Sequence, residues 1–131
     1  MVLKIFIISF FINLLYEMLH SALYKTCLEA PLPKYVYLML KAAIFDGFSI
    51  TALYFTTFLI FKSQNPFLNY PQLIAFVATA LLFAYGWEAY SLQKKKWQYA
   101  DTMPILFGVG VTPLVQLALT GVYSLYIAFY F

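Results

Sequence analysis

The sequence predicts an all-α polytopic membrane protein: four transmembrane helices in one bundle and one domain covering 1–131. Three observations lead there. Hydrophobic residues make up 64% of the 131 positions and charged residues only 10%, where a soluble domain usually carries about 25% charged residues. The apolar residues gather in four segments, near 2–24, 35–61, 71–92 and 103–130. Each is long enough to cross a hydrocarbon core, which takes ~20 residues at 1.5 Å of rise. Between them lie "KTCLEAPLPK", "KSQNPFLNYP" and "QKKKWQYAD", each with the prolines or charges of a loop. Backbone groups in lipid must be satisfied within their own segment, and no period-2 alternation suggests a barrel, so the spans are expected to be helices.

The first span starts with Lys4 and "IFIISFFI", in the manner of a signal peptide. No small-residue cleavage site or lipoprotein box follows, so a retained helix is expected. The second span ends before Lys62. The third follows Pro71 and stops before Lys94, Lys95 and Lys96. The fourth is read from Met103, with Gly108 and Gly110 as a packing notch. Pro113 is expected to kink that helix and open space beside Gln116. Lysines sort by side. Lys25, Lys34, Lys94, Lys95 and Lys96 lie in the first and third loops, with Lys41 just inside the second span, against Lys4 and Lys62 opposite. By the positive-inside rule those loops are cytoplasmic and both termini outside.

Composition narrows the function classes. The net charge of +3 comes from lysine without arginine, which argues against nucleic-acid partners. The lone Cys27 forms no internal disulfide and is expected reduced in a loop. Membrane lipids are the expected partners, together with a homo-oligomer or a larger membrane complex. No cofactor is expected.

Polar residues mark one face of each span. Ser9, Asn13, Glu17, His20 and Tyr24 fall within roughly an 80° arc at 100° per residue. Thr112, Gln116, Thr120 and Tyr123 form a similar stripe on the fourth span. Asp46, with Ser49 and Thr57, marks the second span. Glu88 marks the third, with Tyr85 and Ser91 three residues to either side. By helical rise these ionisable groups sit in the cytoplasmic half, Asp46 deepest. Hydrogen bonds between spans contribute only ~0.6 kcal/mol each, enough to account for Asn13, Thr112, Gln116 and Thr120 as glue. A carboxylate at mid-span costs ~2.5–3.5 kcal/mol, and amides would bind helices more cheaply. Glu17, His20, Asp46 and Glu88 are therefore the candidate catalytic groups, with Asn13, Tyr24, Trp97, Tyr99 and Gln116 as candidate substrate-binding groups.

"EMLH" is formally Glu-x-x-His, the pairing of carboxylate-bridged di-metal bundles. With one histidine in the chain, no metal site is expected unless a dimer shares it. "FGVGVTP" lacks the third glycine and lysine of a phosphate loop, and no G-x-S-x-G is present. Acid–base chemistry on an apolar, membrane-resident substrate such as an isoprenoid is the leading expectation. A carboxyl group removed from water can hold and donate a proton near neutrality. A proton-coupled transport or channel component, and an accessory subunit, are the alternatives.

"EAYSLQKKKWQYADTMPILFGVGVTPLVQ" resembles a pattern in a family of small four-helix prokaryotic integral membrane proteins of unassigned activity. The pattern runs W-x-Y, M-P, then G-x-G-x-x-P-x-x-Q, here Trp97, Tyr99, Met103, Pro104, Gly108, Gly110, Pro113 and Gln116. "NLLYEMLHSALY" and "AAIFDG" match the first two helices of the same family. The resemblance implies one four-helix domain in a prokaryotic inner or plasma membrane and adds weight to Glu17, Asp46, Trp97, Tyr99 and Gln116. A looser similarity to the small membrane-embedded lycopene cyclases rests on acidic helix residues and W-x-Y; their acidic proline-glutamate motif is missing here.

Overall fold

A computed structural model describes all 131 residues. Four long helices form the bundle: α1 (Val2–His20), α3 (Leu32–Phe61), α4 (Tyr70–Gln93) and α5 (Val111–Tyr130). A 3₁₀ turn, Ser21–Leu23, extends α1, and the short α2 (Lys25–Leu28) lies in the first loop. All four long helices are long and apolar enough to cross a membrane. The 30-residue α3 reaches about 45 Å at 1.5 Å per residue, against a core of ~30 Å, so its ends project beyond the hydrocarbon. Leu3, Phe11, Leu19, Ile60 and Leu82 point outward, as lipid-facing residues should.

Local chemistry sets the helix ends. Pro33 sits in the first turn of α3 and Pro71 in that of α4, where a missing N–H goes unnoticed. Asn69 caps α4 through Gln72 N, and Asn65 accepts from Phe67 N at 3.0 Å in the far loop. Thr51, Thr79 and Ser124 turn their hydroxyls back to carbonyls of their own helices, which removes the penalty of carrying them in lipid.

The fourth helix corrects the sequence expectation. It starts at Val111, not Met103, because 103–110 folds into a hairpin of β1 (Ile105–Leu106) and β2 (Val109–Gly110). Phe107 and Gly108 have φ of 52° and 81°, the two positive values of a tight two-residue turn, and only glycine takes the second freely. Gly108 is thus a turn residue with open space around it, while Gly110 precedes α5 and does form a packing notch, since a Cβ there would lie 2.8 Å from Met103 Sδ. Pro113 stands in the first turn of α5, where it kinks nothing. The second helix begins at Leu32, three residues before the expected 35, because Pro31 and Pro33 start it rather than precede it.

Packing divides the bundle into two halves. Away from the loop-bearing face, Ile5, Ile50, Tyr54, Phe76, Leu125 and Ala128 form an apolar core. Gly121 is required there: a Cβ would lie 2.7 Å from the Phe76 ring. Towards the first and third loops the interior turns polar, and Ser9, Asn13, His20, Asp46, Glu88, Gln116 and Thr120 are all buried.

Candidate functional site

Two polar clusters face one cavity. In the first, Gln116 of α5 points its amide nitrogen at three acceptors: Glu17 Oε1 at 2.7 Å, Asp46 Oδ2 at 2.8 Å and Asn13 Oδ1 at 3.1 Å. An amide carries two N–H bonds. The shorter contacts to the carboxyl groups claim them, while Asn13 Oδ1 is served by the Thr120 hydroxyl at 3.0 Å. Gln116 thus holds Glu17 and Asp46 on a single amide nitrogen.

His20 completes this cluster. Its Nε2 lies 3.1 Å from Glu17 Oε2 and its Nδ1 3.0 Å from Thr112 Oγ1. In the neutral ring with hydrogen on Nε2, Nδ1 accepts from the threonine hydroxyl. In the imidazolium, Nδ1 donates and that hydroxyl turns to Met103 Sδ at 3.4 Å. Both states are therefore hydrogen-bonded, and His20 can exchange a proton with Glu17 without moving.

In the second cluster a single oxygen collects three donors. Glu88 Oε1 accepts from Trp97 Nε1 at 2.9 Å, from Tyr24 OH at 3.1 Å and from Tyr99 OH. Tyr99 OH in turn accepts from Gly110 N at 2.9 Å. Backbone contacts reinforce the clasp: Ala100 N donates to Leu23 O, Gln98 N to Thr26 Oγ1, and Tyr24 bridges Tyr99. The first and third loops and the hairpin are thus tied together over the bundle. Burial pushes the Tyr24 and Tyr99 phenols up, and the Glu88 carboxylate beside them adds to it. Both hydroxyls accordingly stay protonated, as donors must.

Between the clusters lies a cavity of about 440 Å³, within the ~300–1,000 Å³ of small-molecule sites. Its wall is apolar along α3 and α4, with Leu38, Met39, Ala42, Phe45, Ala84 and Trp87, and it ends on Glu17, Asp46 and Glu88. Phe45 and Trp87 stack at 4.6 Å between ring centres. All three donors to Glu88 meet at Oε1, and no hydrogen bond occupies its Oε2. No three His, Cys, Asp or Glu side chains gather so as to hold a metal ion.

Compared with known protein families, with curated proteins and with solved structures, the chain shows no match.

Of the candidates, Glu17, Tyr24, Asp46, Glu88, Trp97 and Gln116 line the cavity. Asn13 and His20 are buried behind it, and Tyr99 stands behind Glu88. Two stripe members point elsewhere. Tyr123 is 64% exposed, and Ser124 continues the α5 stripe in its place, since a spacing of four holds the face. Tyr85 bonds Phe107 O on the outside of the bundle, away from Glu88. Sequence reasoning missed Phe45 and Trp87 as parts of the site; Thr112, expected as glue between helices, meets His20 there. Phe45 shares a helical face with Leu38 and Ala42 at spacings of three and four, a signal that lipid-facing residues imitate.

Cys27 belongs to the short α2 rather than an open loop, and it lines the cavity. Burial, with Glu17 adding to it, raises its thiol. Less thiolate is present at any given pH, so alkylation at pH 8 is expected to run several-fold slower than for an exposed cysteine and to climb towards pH 10. Labelling rates followed by intact mass check this. An exposed-cysteine rate at pH 8 would contradict it.

Proposed function

We propose that the protein is a membrane-embedded enzyme that performs acid–base chemistry on an apolar lipid or isoprenoid. The observation that carries this reading is the cavity whose apolar wall ends on Glu17, Asp46 and Glu88. An apolar substrate gains by entering such a wall, and its reacting atoms then meet the three carboxyl groups of the cavity. The Phe45–Trp87 pair stands between cavity and lipid where α3 meets α4, which supports entry sideways from the bilayer. The lysine distribution supports cytoplasmic first and third loops in a plasma or inner membrane.

The chemistry balances within the site. Asp46 gives its proton to one carbon of a double bond, forming a C–H bond and leaving a carbocation on the neighbouring carbon. The carboxylates and the faces of Trp87 and Phe45 stabilise that cation. Loss of a proton from the next carbon to the same carboxylate restores the acid and shifts the double bond. Gln116 positions both carboxyl groups, and His20 holds the second proton at Glu17. A transmembrane proton path is less well supported, because the links from this cluster to the far half run through the amides of Gln116 and Asn13.

Glu17→Gln and Asp46→Asn are expected to leave expression and detergent homogeneity unchanged. Each should lower conversion by at least ~10²-fold, the usual worth of a positioned acid or base. Mass spectrometry of lipids retained by the purified protein supplies substrate candidates and follows their conversion. Unchanged activity in both variants would sink the proposal.

A further inference from the structure

Two cations without counter-ions border the cavity. Lys41 of α3 and Lys96 beyond α4 both line it, yet the only ion pairs in the protein are His20–Glu17 and Lys25–Glu29. Lys96 is held in place, with its ammonium 4.4 Å from the Trp87 ring centre and its backbone N–H on Ser91 O. Lys41 lies over Tyr37 at 5.8 Å. It is set within the span Leu32–Phe61, whereas Lys94 and Lys95 follow the end of α4. The two lysines come from the two helices that form the apolar wall, Lys41 on α3 and Lys96 just beyond α4, and both line the cavity together with Phe45 and Trp87.

We propose that Lys41 and Lys96 bind the anionic, phosphate-type head of a single-chain amphiphile whose tail occupies the cavity. This rests on the reading of the cavity as a lipid site and names the substrate class. Asp46 follows Lys41 by five residues, about 7.5 Å of helical rise. The bond that meets the carboxyl groups is therefore several carbons from the head, clear of the charge that would oppose a carboxylate. Lysine suits this task as a mobile point charge for phosphate.

Cys27 lines the same cavity, so its alkylation rate reports occupancy without any need for activity. The full chain in neutral maltoside micelles is challenged with dodecyl phosphate, dodecanol or dodecyltrimethylammonium at equal mole fraction, or with inorganic phosphate. Dodecyl phosphate is expected to slow labelling at roughly tenfold lower concentration than dodecanol, a preference worth about 1.4 kcal/mol, and inorganic phosphate to have no effect. Lys41→Gln/Lys96→Gln should abolish the preference while dodecanol still protects; Lys94→Gln/Lys95→Gln, with the same charge change, should keep it. Equal protection by dodecanol and dodecyl phosphate overturns the head-group assignment alone, as does stronger protection by the ammonium surfactant. Protection by inorganic phosphate overturns the amphiphile, and loss of preference in the Lys94/Lys95 variant reduces the effect to diffuse charge. Failure of every dodecyl probe to protect overturns the lipid cavity itself, and with it the function proposed above.

Discussion

Glu88→Ala is expected to release the loops from the bundle and to lower stability by about 2–4 kcal/mol. The change removes the one acceptor shared by Tyr24, Trp97 and Tyr99. A buried donor left without a partner costs roughly 1–3 kcal/mol, and water reaching the rings from the loop side recovers part of the sum. Glu88→Gln keeps an oxygen at the same place and should lose only about 1 kcal/mol. Thermal unfolding in maltoside gives the stability order. Trypsin gives the local picture, because Lys94, Lys95 and Lys96 directly follow α4: cleavage there should accelerate in the alanine variant and stay near the parental rate in the glutamine variant. Identical unfolding and cleavage in all three proteins would mean that the clasp holds nothing.

The second large effect is expected at Gln116. Gln116→Leu keeps the size of the side chain and removes the N–H groups that face Glu17 and Asp46. Depriving buried charged or proton-sharing groups of their donor costs about 3–5 kcal/mol. Pairing it with Asp46→Leu removes an acceptor together with the donor, and replacing both partners by apolar groups can be nearly neutral. The double variant should therefore be more stable than the sum of the single losses predicts, by about 1–3 kcal/mol of coupling. A double-mutant cycle in mild detergent measures it. Strict additivity would show that the amide and the carboxyl group act independently.

Much of this architecture is legible in the sequence. Four spans follow from the length of the apolar runs, and the inward face of α1 follows from the spacing of Ser9, Asn13, Glu17 and His20. That arithmetic works because an uninterrupted helix has a fixed turn angle. It fails where the helix stops: the "FGVG" segment looks as apolar as a span, and its hairpin depends on a left-handed conformation at Phe107 that composition does not announce. It fails also at Tyr123, whose spacing of three from Thr120 is as acceptable on paper as the four of Ser124. The meeting of Glu17, Asp46 and Gln116 could be suspected from depth and direction. The convergence of Tyr24, Trp97 and Tyr99 on one oxygen of Glu88 could not, since it depends on how two loops cross. The apolar wall was hidden for a simpler reason: Phe45 and Trp87 are the residue types that also face lipid.

The clasp on Glu88 has a consequence for the order in which the molecule is made. Tyr24 leaves the ribosome with the first helical hairpin, Glu88 with the third long helix, and Trp97, Tyr99 and Gly110 only afterwards. The cavity's last wall, Pro113, Gln116 and Leu117, belongs to the final helix. A nascent chain holding α1, α3 and α4 thus presents an open trough to the surrounding lipid, with its carboxyl groups unsheltered. Arrival of α5 and closure of the loops then complete the cavity, so its walls come together only after the last helix is in place.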